Sequence, residues 1–161
     1  MGKFTKFHRY AVMEYPVTLK EMEEISKEIP KTERKFYEFA FKALRKVMKE
    51  DENIYAFDMA DSKLTKTGFI VVGEHNLYLV AMKGRLFGGA EAEVVKYADI
   101  KNVHFDIIPT PFGLTNGGIL YLEIKALFGS KKRTIHNIPE QNFDSIVKKI
   151  REQVNQHSVK A

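Results

Sequence analysis

The sequence contains no cysteine, which removes a disulfide framework, a thiolate zinc site and a thiol nucleophile from consideration together. It also has no run approaching the roughly 18 consecutive apolar residues of a membrane-spanning helix. The opening stretch MGKFTKFHRYAVMEYP lacks the unbroken apolar region of a signal peptide, so the expected location is the cytoplasm. The five histidines, His8, His75, His104, His136 and His157, are widely spaced and form no HExxH or other recognised ligand pattern. The phrase GRLFGG lacks the Lys and Ser or Thr that complete a phosphate loop. No acid, base and nucleophile constellation emerges, so the reading is of a protein that is not an enzyme and has no cofactor, metal site or catalytic residue.

What is present fits one core with an addition. The 161 residues are 44% hydrophobic and 29% charged, enough for one sizeable core and too few for two full domains. The formal net charge is +5, and the first 50 residues hold 12 Lys and Arg against 8 Asp and Glu, so most of the excess is N-terminal. Lys3, Lys6, His8 and Arg9 begin a basic tail, and Tyr78 or Phe87 would be available to stack on bases, but no RNA-recognition motif accompanies them. Nucleic acid is therefore disfavoured as a partner.

The periodicity changes near Glu50. Before it, Thr18 and Glu21 form a capping-box pair, and Leu19, Met22, Ile25 and Ile29 recur at helical spacing until Pro30. Thr32 is a second cap candidate, ahead of a stripe of Phe36, Phe39, Ala40, Ala43, Leu44, Val47 and Met48. Two such helices cannot bury their stripes alone, so a helical hairpin is expected that covers itself on the same chain, on a second copy or on another protein. After Glu50, strands are predicted at Ile54–Met59, Gly68–Val72, Asn76–Met82, Ala90–Tyr97, Ile100–Ile108, Gly118–Lys125 and Lys131–His136. With no crossover helices between them, they argue for antiparallel pairing in a barrel or orthogonal sandwich. A last helix is expected from Pro139, with Phe143, Ile146, Val147, Ile150 and Val154 on its apolar face. The predicted organisation is a tail and amphipathic helical pair over 1–50, a barrel-like domain over 51–155 and a fraying tail over 156–161.

Carried by the phrases ENIYAF, GFIVVGEHNLYLVAMKG, GRLFGGAEAEVVKYADIKNVHF, GGILYLEIKA and NIPEQNF, the region Asp51 to Arg151 resembles a bacterial pleckstrin-homology-like domain, in particular the YokE-like group. The resemblance implies an α+β fold, a pleckstrin-homology-like antiparallel β-barrel or orthogonal sandwich with a C-terminal capping helix, here preceded by the α-helical hairpin. It also implies that Tyr97, Ala98, Asp99 and Ile100 turn the chain into the strand containing Val103. Phosphoinositide-binding relatives in eukaryotes use basic residues in and beside the first hairpin, and Lys63 and Lys66 in DSKLTKTG fall nearest that region.

Two partner classes follow. Lys63, Lys66, Lys83 and Arg85 lie near predicted strand ends and are the candidate anion-binding residues; Lys131, Lys132 and Arg133 form a second compact basic group. Asp58 and Asp61 weaken the first group as a headgroup site. Phe36, Phe39, Leu44 and Val47, with Phe112 and Leu114 in the loop around Pro109 and Pro111, are the candidate protein interface. Phe87 and Phe105 belong either to a contact rim or to the barrel core. The leading expectation is a noncatalytic module for protein interaction or self-association, with a protein partner or homo-oligomer. The alternative is a weak binder of acidic phospholipid headgroups at an anionic membrane surface.

Overall fold

A computed structural model describes residues 9–63, 67–83, 88–108 and 117–159. Eight strands form two antiparallel sheets: β1 (Val17–Thr18), β2 (Asn53–Met59), β3 (Gly68–Gly73), β4 (Asn76–Met82) and β5 (Ala90–Lys96) in one, and β6 (Ile100–Ile108), β7 (Gly117–Lys125) and β8 (Ser130–Pro139) in the other. Each sheet is a meander in which sequence neighbours pair. The α-helices among the described residues are α1 (Leu19–Ile25), α2 (Lys31–Arg45) and α3 (Glu140–Val159). A 3-10 turn at Tyr97–Asp99 passes the chain from the first sheet to the second, at the turn the resemblance implied.

The sheets are joined at one corner, where Asp61 and His136 exchange main-chain hydrogen bonds of 2.8 and 2.9 Å. Between them lies one apolar cluster, built from Ile70, Val72, Leu77 and Leu79 on one sheet and Val103, Leu120, Leu122 and Ile135 on the other. The predicted apolar face of the last helix closes this cluster through Phe143, Ile146, Val147 and Ile150. Its start differs from expectation: Pro139 pairs with Gly117 as the last residue of β8, and the helix begins at Glu140. A terminal proline has no N–H to lose from the ladder, so it is tolerated there.

A second cluster covers the opposite face of the five-stranded sheet. Tyr10, Leu19, Met22, Tyr37, Ala40, Phe41 and Leu44 pack on Phe57, Phe69, Val71, Tyr78 and Val80. The rings of Tyr10, Tyr37, Phe41, Phe57 and Phe69 meet in edge-on, tilted and stacked pairs with centroids 4.9 to 6.4 Å apart. All six residues of β3 are buried, because its sheet has protein on both faces. Such a strand reads as a continuous apolar run, and FIVV in β3 is that signal.

The N-terminal segment is therefore a layer on the sheet and even supplies its edge strand, Val17 pairing with Ile54. Thr18 caps α1 through the predicted box with Glu21. Thr32 is not the second cap: α2 starts at Lys31 after Pro30, which places Thr32 inside the first turn. Helix α2 rests chiefly on β4 and β5 and less on α1, so of the expected covers for the helical pair the structure has the sheet of the same chain.

A buried carboxylate pins the entry to this sheet. Glu52, just before β2, accepts the Tyr78 hydroxyl at 2.9 and 3.0 Å and the His75 N–H at 3.0 Å. The Tyr97 hydroxyl donates to the Gly73 carbonyl at 2.7 Å in the same corner. Burial without these partners would cost more than the bonds themselves contribute.

Candidate interaction surfaces

Of the predicted anion-binding residues, Lys66 and Arg85 lie outside the described residues, so the geometry concerns Lys63 and Lys83. Lys63 forms an ion pair with Glu91 on β5, and the shallow depression around it also contains Glu93. A lysine committed to a carboxylate in an acidic setting is a poor anion receptor. Lys83 is exposed, its main chain held by a 2.9 Å hydrogen bond to the Gly89 carbonyl.

Of the predicted protein interface, Phe112 and Leu114 lie outside the described residues, as do Phe87, Pro109 and Pro111. Helix α2 turns a different side inward than the predicted stripe. Tyr37, Ala40, Phe41 and Leu44 face the sheet, one residue round from Phe36 and Phe39. Leu44 is fully buried against the chain's own sheet, Val47 packs at the margin of the same cluster, Phe39 is half-buried and Phe36 is 57% exposed. The four residues thus form no common outward face. Phe36-to-Met48 and Tyr37-to-Met48 spacings fit a helical period almost equally, and only the partner surface distinguishes them.

A more coherent surface lies where β6 meets α3. Strand β6 pairs with β7 on one side, and among the described residues no strand pairs with its other side. Arg151 of α3 reaches that open side and donates to the Val103 carbonyl at 2.8 Å, its guanidinium 5.4 Å from the centroid of the Phe105 ring. Regular pairing from Val103 onward means that the main-chain groups of Phe105 and Ile107 point the same way as those of Val103. Their side chains are 40% and 42% exposed, and a groove beside Phe105 is floored by Val147 and walled by Lys148, Arg151 and Glu152. Phe105 therefore belongs to a rim, standing edge-on to Phe143 with centroids 5.5 Å apart. Phe143 can lie there because Gly118 of β7 has no side chain; a Cβ at that position would collide with the Phe143 ring.

Below the N-terminal layer, Lys149 of α3 sits over Tyr15 and donates to the Tyr55 carbonyl at 2.6 Å. Burial pulls its pKa below the ordinary lysine range. This lysine ties α3 to β2 and is structural in its contacts. Among the described residues no group of three or more His, Asp or Glu is arranged to hold a metal ion. Among the described residues no helix is long and apolar enough to cross a membrane.

Sequence reasoning missed the two most exposed large apolar side chains among the described residues, Leu127 at 91% and Phe128 at 89%, in the turn between β7 and β8. The available signal was their position. ALFG stands between two strand patterns, where Asn, Asp, Gly or Pro is the usual turn chemistry and Leu-Phe is not.

Residues 48–152 match the family model described as Bacterial PH domain. Over 155 residues the chain is 50% identical to the SPbeta prophage-derived uncharacterized protein YokE of Bacillus subtilis (strain 168), covering 92% of this chain and 97% of that one. Among solved structures, the hSac2 domain from human phosphoinositide phosphatase Sac2 superposes with a TM-score of 0.53 at 9% identity, over 80% of this chain and 86% of that one. A DUF1696 family protein with a pleckstrin-homology domain from Shewanella loihica aligns over 86% of this chain and 95% of its own, at 16% identity and a TM-score of 0.48. The family match, the close sequence relative and the two meandering sheets closed by a C-terminal helix agree: the chain belongs to the bacterial pleckstrin-homology domain family.

Proposed function

We propose that the chain is a noncatalytic protein-interaction module that receives an extended peptide segment along the open side of β6, against α3. The observation that carries this reading is a strand edge that no strand pairs among the described residues, together with two half-exposed apolar side chains, Phe105 and Ile107, beside a helix groove. An added strand would take main-chain hydrogen bonds from Phe105 and Ile107, and its alternate side chains would settle against Phe105 and Val147. Arg151 already occupies the Val103 carbonyl, so it marks the end of the available edge. The covered stripe of α2 favours this surface over self-association through the N-terminal helices.

The test is affinity capture from cell extract with the intact chain, a Phe105→Ser/Ile107→Lys variant and a Phe36→Ser variant. A partner retained by the wild type and by Phe36→Ser, but lost from the β6 variant, supports the reading. Equal capture by all three proteins, or no capture, overturns it. For a captured partner, slowed amide exchange at Phe105 and Ile107 would separate strand addition from side-chain contact alone.

A further inference from the structure

We propose that the cavity enclosed by the N-terminal segment, β2 and α3 binds a short linear zwitterion, with an amino group at one end and a carboxylate at the other. The cavity measures about 160 Å³. A space of roughly 150 Å³ holds benzene, so about six to eight non-hydrogen atoms fit here. Asn142, Ser145, Ile146 and Lys149 line it, whereas Asp144, Val147, Lys148 and Arg151 line the groove beside β6. At about 3.6 residues per turn the two sets occupy opposite faces of α3, so the cavity is separate from the peptide surface.

The roof of the cavity is an extended strap. Ala11, Met13 and Tyr15 line the space, while Val12, Glu14 and Pro16 are exposed. Such alternation belongs to a strand, yet the segment joins no ladder before Val17. Its ends are fixed by the Asn142 amide on the Ala11 carbonyl, at 3.1 Å, and by the pairing of Val17 with Ile54. Ala56 and Phe57 of β2 close the space from below.

The walls have opposite character at the two ends. At one end Lys149 donates to the Tyr55 carbonyl at 2.6 Å, which takes one N–H of an ammonium that has three. Among the described residues no carboxylate stands at ion-pair distance from Lys149, and the Ser145 hydroxyl, one turn back, has no hydrogen-bond partner. Burial disfavours the ammonium charge more than nearby Glu152 favours it, and a carboxylate placed here restores what burial removes. At the other end the Asn142 amide donates to both Ala11 and Asp58, which leaves its carbonyl oxygen to accept. The Asp58 carboxylate lies 2.9 Å behind that amide, so this end suits an amino group and repels an anion.

Span narrows the ligand further. Asn142 and Lys149 are about 10 Å apart along α3. Asp58 and Tyr55, to which their side chains bond, are likewise about 10 Å apart along β2. Two hydrogen bonds of about 2.9 Å leave about 4 Å between the nitrogen and the carboxylate of the ligand. Two or three methylenes bridge that distance, giving about six or seven non-hydrogen atoms, and the cavity volume agrees.

The test is a titration of the full chain, labelled with nitrogen-15, with β-alanine and with γ-aminobutyrate. Butyrate and propylamine each carry one of the two charges, and 6-aminohexanoate carries both too far apart. Saturable shifts are expected at the amides of Met13, Ser145 and Lys149 with the two short zwitterions. The three comparison compounds should bind about tenfold more weakly or less, the size of one lost hydrogen bond to a charged group. Ser145→Leu, at an exposed helix position, fills the cavity and leaves Asn142, Asp58 and Lys149 in place. It should keep the urea midpoint of the wild type and abolish the shifts. Lys149→Met should weaken both zwitterions and leave propylamine unchanged. The proposal is overturned by a folded chain whose amides at these positions respond to neither zwitterion. Equal affinity for butyrate or propylamine also overturns it, as do shifts that survive Ser145→Leu.

Discussion

The side-chain amide of Asn142 donates to Asp58 at 2.9 Å and to the Ala11 carbonyl at 3.1 Å, so one residue of α3 holds both β2 and the N-terminal segment. Asp58 is almost fully buried and also accepts the Met59 N–H at 2.7 Å. Asn142→Ala removes a partner from a buried carboxylate and should cost about 1–3 kcal/mol. A urea titration checks this: the midpoint falls with an unchanged slope. A shift below about 0.5 kcal/mol, the size of an ordinary surface change, would mean that water replaces the amide without loss.

Removal of residues 1–50 should not leave a stable barrel. The deletion strips α1, α2 and β1 from the sheet and bares Phe57, Phe69, Val71, Tyr78 and Val80. At about 1.5–3 kcal/mol for each large apolar side chain, the loss rivals the whole stability of a domain. The expected product is aggregated or lacks cooperative thermal unfolding, as scattering and calorimetry would reveal. A monomeric fragment with a sharp transition would contradict the two-faced burial of β3.

Tyr78→Phe keeps the ring in the outer cluster and deletes only the hydroxyl that contacts both oxygens of Glu52. A loss of roughly 1–3 kcal/mol is expected, since the carboxylate remains buried with the His75 N–H. Double substitution with Glu52→Gln should recover part of it, and the thermodynamic cycle measures how much.

Alkaline pH should unfold the protein cooperatively. Burial raises the tyrosine pKa at Tyr10, Tyr15, Tyr78 and Tyr97 well above the ordinary value of 10.0, and pushes Tyr37 up to about 12. A raised folded-state pKa means that the unfolded chain loses these protons first. Their stabilising contribution is complete below pH 10 and is lost progressively as pH climbs from there toward the folded values. Tyrosinate absorbance should therefore rise in one steep step coincident with the loss of circular dichroism. Gradual titration of these rings with the fold intact would show that they are reached by solvent.

Most of the barrel was legible because period-two runs, turn residues and one long amphipathic helix are local signals. β4 and β6 match their predicted spans, and the Thr18–Glu21 box caps α1 as expected. The error over α2 was rotational. Phe36 and Tyr37 are adjacent and both aromatic, and only Phe57 and Phe69, distant in sequence, determine which one is drawn inward. Lys63 illustrates the same limit for sites: its neutralising partner Glu91 is 28 residues away. The open side of β6 was equally hidden, because a strand's unpaired edge depends on sheet order and leaves no mark in its own residues. Leu127 and Phe128 differ from these, since their anomaly lies within a four-residue turn and can be read locally.

The sandwiching of β3 between two apolar clusters imposes a division of labour on the molecule. With an N-terminal layer on one side and the barrel interior on the other, β3 has no open face among the described residues. Its sequence is committed to holding the structure together, so variation there is paid for in folding. The three-stranded sheet and α3 carry the groove and the projecting turn, where side chains can change without rebuilding the scaffold.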